Sequence, residues 1–251
     1  MVWGLRLFIL FQALLATLAI ATEAPSSIRI AAEDSWPPFA DADGDGLSHR
    51  LIQKAFALQG VKVDTLVVPY NRGLILTEQG KVNAVFNVAR QQSTESRFLF
   101  GREPLFKTTA SFYQLKNRER VAADKWSLPP GTRVGIIRGY EYGDEFDRLS
   151  NMELHIHDNQ YQLLNLLLTH KLDMVVMYDE VAEQFLSRTG VTNEVMAVFP
   201  NHTSELFLAF NKEDKDSAAL IRALDLGLEQ LREQGEYRKL LSEAGIAAQR
   251  H

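Results

Sequence analysis

The residues of this 251-residue chain that could do chemistry are carboxylates, arginines and aromatic side chains at the ends of apolar runs. With no cysteine there is no thiolate metal site and no thiol nucleophile. Nor can there be a disulfide, so an exported chain would rely on its core alone. Asp41-Ala42-Asp43-Gly44-Asp45-Gly46 matches the opening of a calcium loop, but the position that needs a bidentate Glu holds Ile52, and the stretch reads as a solvated turn. His155 and His157 share one side of an extended segment and lack a third ligand. No Gly-rich phosphate loop or nucleophile elbow occurs. Neither a metal nor a cofactor is therefore expected. A general acid or base would have to come from Glu95, Glu141 or Asp179, and no catalytic residue is assigned.

A second set of residues could shape a pocket. Trp36 and Phe39 flank a Pro-Pro pair after the first apolar run, Tyr70 and Arg72 follow the second, and Asn87 ends the third. Tyr140 and Tyr142 follow Gly139 after a later run. Rings with polar tips in such loops can wall a ligand cleft. Arg72 can contact an anion and Asn87 can hydrogen-bond a ligand directly. Core packing is the rival reading for the rings, and a solvated side chain for Arg72.

These positions need strands and helices to hold them. Ile28–Ala32, Val61–Val68 and Val82–Val88 read as buried strands, with helices after Ser48 and around Leu74–Leu76 between them. That order predicts a mostly parallel sheet covered by helices. It repeats after Ala110. There Arg133–Ile137, Leu154–Ile156 and Leu172–Met177 read as strands, and Tyr142–Leu149, Tyr161–Leu168 and Glu180–Leu186 as helices. Leu206–Phe210 follows as a strand, and a helix capped by Asp216-Ser217 carries Ile221, Leu224, Leu228 and Leu231 on one face. The prediction is an α/β fold of two lobes joined by a two-crossing hinge, with residues 22–109 and 205–251 forming lobe one and residues 110–204 an inserted lobe two. Ligands favour the cleft between such lobes.

Arg6, the apolar run Leu7–Ile20 and Ala19-Ile20-Ala21 have the make-up of a secretory leader, with cleavage expected after Ala21. The formal net charge of -5 moves to about -6 when Arg6 is removed, which argues against a nucleic-acid partner.

Four stretches carry a family resemblance. They are Ile30–Phe39; Gly80–Phe86 followed by Thr94-Glu95-Ser96-Arg97; Lys171–Val176 leading to Asp179; and Leu220–Gly245. In order and spacing they resemble the bacterial extracellular solute-binding proteins, family 3, the periplasmic polar amino-acid binders of ABC importers. Pro69–Gly73 and Arg102–Phe106 look most like a stand-alone branch often encoded without transporter subunits. The resemblance implies the periplasmic-binding-protein type II fold, a periplasmic monomer and a small polar ligand, an amino acid or related carboxylate. It also implies a transporter permease or a membrane sensor as partner. Arg97 would grip the ligand carboxylate through its planar fork, and Asp179 would meet the ammonium, with a helix-capping role as the alternative. The sequence departs from the pattern at Asn83, in the longer loop before Arg97, in Tyr178 before Asp179, and at Gly139-Tyr140-Glu141-Tyr142. An exported enzyme of the cyclohexadienyl dehydratase kind on the same fold is the competing function.

Overall fold

A computed structural model describes residues 24–246, so the expected leader lies outside the described residues. In lobe one, β1 (Ser27–Glu33) pairs in parallel with β4 (Lys62–Val68) and β5 (Ala84–Ala89). Past Arg29 the two faces of β1 are both covered, as its apolar run Ile30–Ala32 requires. Ile28, Ile30 and Ala32 join one core cluster and Ala31 joins a second. α1 (Leu47–Leu58) puts Leu51, Ile52, Ala55 and Phe56 on the first, and α2 (Tyr70–Glu78) puts Tyr70 and Leu74 on the second. The short hairpin of β2 (Ser35–Trp36) and β3 (Ala40–Asp41) carries the Pro-Pro loop. A single helical turn, α3 (Gln92–Glu95), leads to β6 (Phe98–Phe100).

Two long strands then link the lobes. β7 (Phe106–Leu115) runs antiparallel to the 17-residue β11 (Val195–Asn211). On this pair Thr109 lies opposite Thr203 and Thr108 opposite Ser204. In lobe two, β8 (Thr132–Ile137) pairs in parallel with β9 (Met152–His157) and β10 (Met174–Tyr178), packed by α4 (Gln160–Leu168) and α5 (Asp179–Thr189). α6 (Ser217–Glu233) and α7 (Glu236–Glu243) return to lobe one. The hinge pair joins both halves into one nine-stranded ladder of order β4-β1-β5-β11-β7-β10-β8-β9, with β6 on β11.

Local expectations fail at instructive places. The helix predicted over Tyr142–Leu149 is a loop with one 3-10 turn at Phe146–Arg148, because Gly143 adopts φ 92° and its N–H is spent on Gln91 across the lobe boundary. Ser48 does not cap α1, which begins at Leu47. Its hydroxyl donates to Asn87 Oδ1 at 2.6 Å instead. Nor does the Asp216 side chain cap α6.

α1 and α6 approach closely at Gly227, where an added Cβ would lie 2.1 Å from the carbonyl oxygen of Ala55. Gly227→Ala must push the two helices apart, and a loss of about 1–3 kcal/mol in chemical unfolding is expected.

Candidate functional site

The lobes close on each other through the loop that follows β8. Gly139 (φ 81°) turns this loop back, so that Tyr140 and Glu141 enter the boundary. Glu141 Oε2 accepts from the Tyr70 hydroxyl at 2.8 Å and from the Ala89 N–H at 3.4 Å, and its own carbonyl accepts from the Tyr178 hydroxyl at 2.5 Å. The Tyr140 hydroxyl donates to Glu33 at the end of β1. Around this centre, Gln91 Nε2 donates to Asp147 at 3.1 Å and the Gln92 N–H donates to Asp144 at 3.1 Å.

Two spaces lie at the boundary. The inner chamber holds only about 10 Å³ and is lined by Glu33, Glu141, Trp36, Asn87 and the rings of Tyr70, Tyr140 and Tyr178. The outer cavity is about 570 Å³, within the range of small-molecule sites. It is lined from lobe one by Asp34, Ser35, Asn71 and Arg72, and from lobe two by Arg138, Asp158 and Asn159. Glu33, Tyr70 and Tyr140 line both spaces and form the partition between them. Arg138 is occupied by Asp158 at 2.8 Å, whereas Arg72 has no ion pair among the described residues.

The inner chamber is unusual in its electrostatics. Glu33 and Glu141 are 4 % and 7 % exposed, and no basic side chain hydrogen-bonds either one among the described residues. Loss of hydration therefore dominates. It pushes the Glu33 carboxyl up to about 8 and the Glu141 carboxyl up to about 7, the hydroxyls of Tyr140 and Tyr70 opposing only in part. Two donors also go unused, since Trp36 Nε1 and Asn87 Nδ2 have no partner among the described residues. Asn87 sits in the left-handed backbone region at φ 64°, a sparsely populated conformation for a non-glycine residue.

Trp36, Tyr70, Asn87 and Tyr140, of the sequence-predicted site residues, line the inner chamber, and Arg72, Tyr70 and Tyr140 the outer cavity. Phe39 and Tyr142 line neither. Phe39 stacks on Phe106 at 4.3 Å and packs beneath Trp36, while the Tyr142 hydroxyl accepts from the Ile137 N–H in the core of lobe two. Arg97 and Asp179 line neither space either. Arg97 donates to both carboxylate oxygens of Glu78, at 2.6 and 3.1 Å, and lies over the ring of Phe98. Asp179 is the first residue of α5 and accepts from the Tyr113 hydroxyl at 2.8 Å.

The family model for bacterial extracellular solute-binding proteins, family 3, matches residues 28–244. The chain belongs to this family. No curated protein matches it. Solved structures of like fold include an ancestral arginine-binding protein bound to arginine (TM-score 0.75, 18% identity, 88% of this chain and 99% of that one). A histidine kinase sensor domain with similarity to periplasmic binding proteins has TM-score 0.75 and 17% identity over 86% of this chain and 95% of its own. An ancestral amino-acid-binding protein, a precursor of cyclohexadienyl dehydratase, has TM-score 0.71 and 18% identity over 87% of this chain and 95% of its own.

In this family 3 binding protein, sequence reasoning missed Glu33 and Tyr178 and weighed Glu141 only as an acid–base group. Both glutamates lie in strand-to-loop transitions, Glu33 closing β1 and Glu141 two residues past Gly139, and for Glu33 a carboxylate directly after the apolar run Ile30–Ala32 was the available signal.

Both carboxyls hold their protons in the folded protein at pH values where the unfolded chain, near 4.5, has released them. Their contribution to stability is thus present at low pH and lost as pH rises from about 4.5 through about 8. In ligand-free protein, Glu33→Gln should flatten this decline and stabilise by on the order of 2 kcal/mol at about pH 8.5, as read by melting curves across pH. An unchanged slope would place Glu33 in contact with water or a cation.

Proposed function

We propose that this family 3 protein captures a small polar ligand, an amino acid or related carboxylate, in the outer cavity between its lobes and delivers it for uptake by a membrane transporter. One observation carries the reading: a cavity of ligand size is lined from both lobes, and its walls include Arg72, a guanidinium with no ion pair among the described residues, and Asp34. A zwitterion needs a cation for its carboxylate and an anion for its ammonium, because unpaired charge in a closed cleft is costly. Arg72 supplies the first and Asp34 the second. Arg97, to which the resemblance gives the carboxylate, would have to release Glu78 to take that role, and Asp179 would have to release Tyr113 to meet the ammonium. Residues 22–109 with 205–251 move against 110–204 about the β7–β11 pair, and ligand held by both lobes favours the closed state. The protein works as a periplasmic monomer after removal of residues 1–21.

The sensor domain of a histidine kinase, of like fold, supports a second reading, in which the closed protein is read by a membrane receptor rather than a permease. The dehydratase alternative draws on Glu141, whose carboxyl near 7 suits a general acid. Product formation from prephenate or arogenate would establish it.

A thermal-shift screen of the mature protein against amino acids and small organic acids tests the binding reading. A ligand at 100 times its Kd should add about 2.7 kcal/mol. Arg72→Ala should abolish the shift and Arg97→Ala should keep it. The opposite pattern would return the carboxylate contact to Arg97.

A further inference from the structure

The nine-stranded ladder ends on β4 at one side and on β9 at the other, and the two outer strands differ. An outer strand offers unpaired N–H and C=O groups to any extended segment, and folded proteins usually blunt it with charge, proline or a bulge. On β4 the exposed residues are Lys62 and Asp64. On β9 they are Glu153, Leu154 and Ile156. Leu154 and Ile156 are 42 % and 49 % exposed, and β9 holds no lysine, proline or register shift.

Leu154 and Ile156 lie beside Val134 and Ile136 of β8, on the sheet face that Met174 and Phe112 continue inward. Phe146 covers this face over β7, its ring 6.1 Å from that of Phe112. The loop that carries Phe146 forms only one 3-10 turn, and the β9 side chains on this face stay open. Just before β9, the Asn151 side chain donates to the carbonyl of Trp126 at 3.3 Å, which sets a further exposed ring at the start of the strand.

The backbone of this edge alternates as its side chains do. The Arg138 N–H donates to the His157 carbonyl at 2.8 Å, so Glu153, His155 and His157 turn their N–H and C=O groups toward β8. Leu154 and Ile156 turn theirs outward. Antiparallel strands exchange both hydrogen bonds where two such outward residues stand opposite each other. With a two-fold axis at His155, Leu154 of each copy falls opposite Ile156 of the other, and the two pairs make about four backbone hydrogen bonds. The same register sets Glu153 opposite His157, an acid against an imidazole, and brings the exposed Leu154 and Ile156 together on one face. A shift of one residue would set outward groups against inward ones and turn the apolar side chains to opposite faces.

We propose that β9 is an association edge for a second copy of this chain: two molecules join lobe two to lobe two through antiparallel β9 strands centred on His155. The matches of Glu153 to His157 and of Leu154 to Ile156 are ones the strand makes with itself, which favours a like chain over an unrelated one. In the ladder order β9 is the strand of lobe two farthest from the linking pair β7–β11. No residue of the second copy is needed to complete a cleft, so the monomer remains the unit that captures ligand. The pairing stands whatever ligand that cleft takes.

Sedimentation velocity of the mature protein from micromolar to millimolar concentration is the test. The mass should rise from that of one copy toward that of two and no further, because a two-fold pair uses up both edges. Ile156→Lys, and Leu154→Lys as a second variant, should each weaken association by about tenfold or more, with little change in melting temperature because both side chains are half exposed. Glu153→Lys should weaken it by about threefold, and Glu153→Lys combined with His157→Glu should restore it. A single-copy mass at every concentration overturns the proposal, and so does growth past two copies. Association that survives both lysine variants lies on another surface and overturns it too. A charge-swapped double variant that associates no better than Glu153→Lys overturns the register centred on His155. The wild-type mass needs no variant, so it decides against the pair even if a substituted chain folds poorly.

Discussion

Two carboxyl groups that no basic side chain hydrogen-bonds among the described residues sit where the halves of this protein meet, and much of the surrounding structure serves to hold them there. Glu33 ends the first strand of lobe one, and Glu141 descends from lobe two on a glycine turn. Each is met by a tyrosine hydroxyl from the opposite lobe, so the same hydrogen bonds that hold the acids also hold the lobes together. Buried carboxyls that keep their protons cost far less than buried carboxylates, which lets both acids sit together at the boundary. The arrangement is therefore closed but not fully satisfied. Unused donors on Trp36 and Asn87 and an off-region backbone at Asn87 lie in the same few ångströms.

The fold was largely legible in the sequence because its main signals are local. Apolar runs of strand length, glycine stops and the spaced leucines of α6 each announce themselves within a dozen residues. The family motifs then fix their order. What could not be read was anything that depends on contacts between residues distant in sequence. The segment after Gly139 has a helix-compatible composition, yet Gln91, Gln92 and Asn201, distant in sequence, bind it as a loop. Ser48 looked like a cap and instead steadies Asn87.

The site shows the same division. Aromatic residues at strand ends could be picked out, and Trp36, Tyr70 and Tyr140 do stand at the boundary. Whether a ring faces a cavity or a core depends on side-chain direction at a turn, and so Phe39 and Tyr142 went to packing. The motif position of Arg97 is preserved, but a glutamate at the end of α2 captures its guanidinium. Motif spacing records the backbone route and is blind to such a neighbour on another element.

The long strand β11 has a kinetic implication. It lies between β5 and β7, so lobe one and the linking pair both wait for residues that follow the strands and helices of lobe two in the chain. Until they are made, β5 keeps an unpaired edge, and no sheet of either half is finished. Sequence-distant pairings of this kind slow folding because the chain must close long loops before gaining contacts. Neither half of such a chain completes its sheet before the segment that follows lobe two has been added.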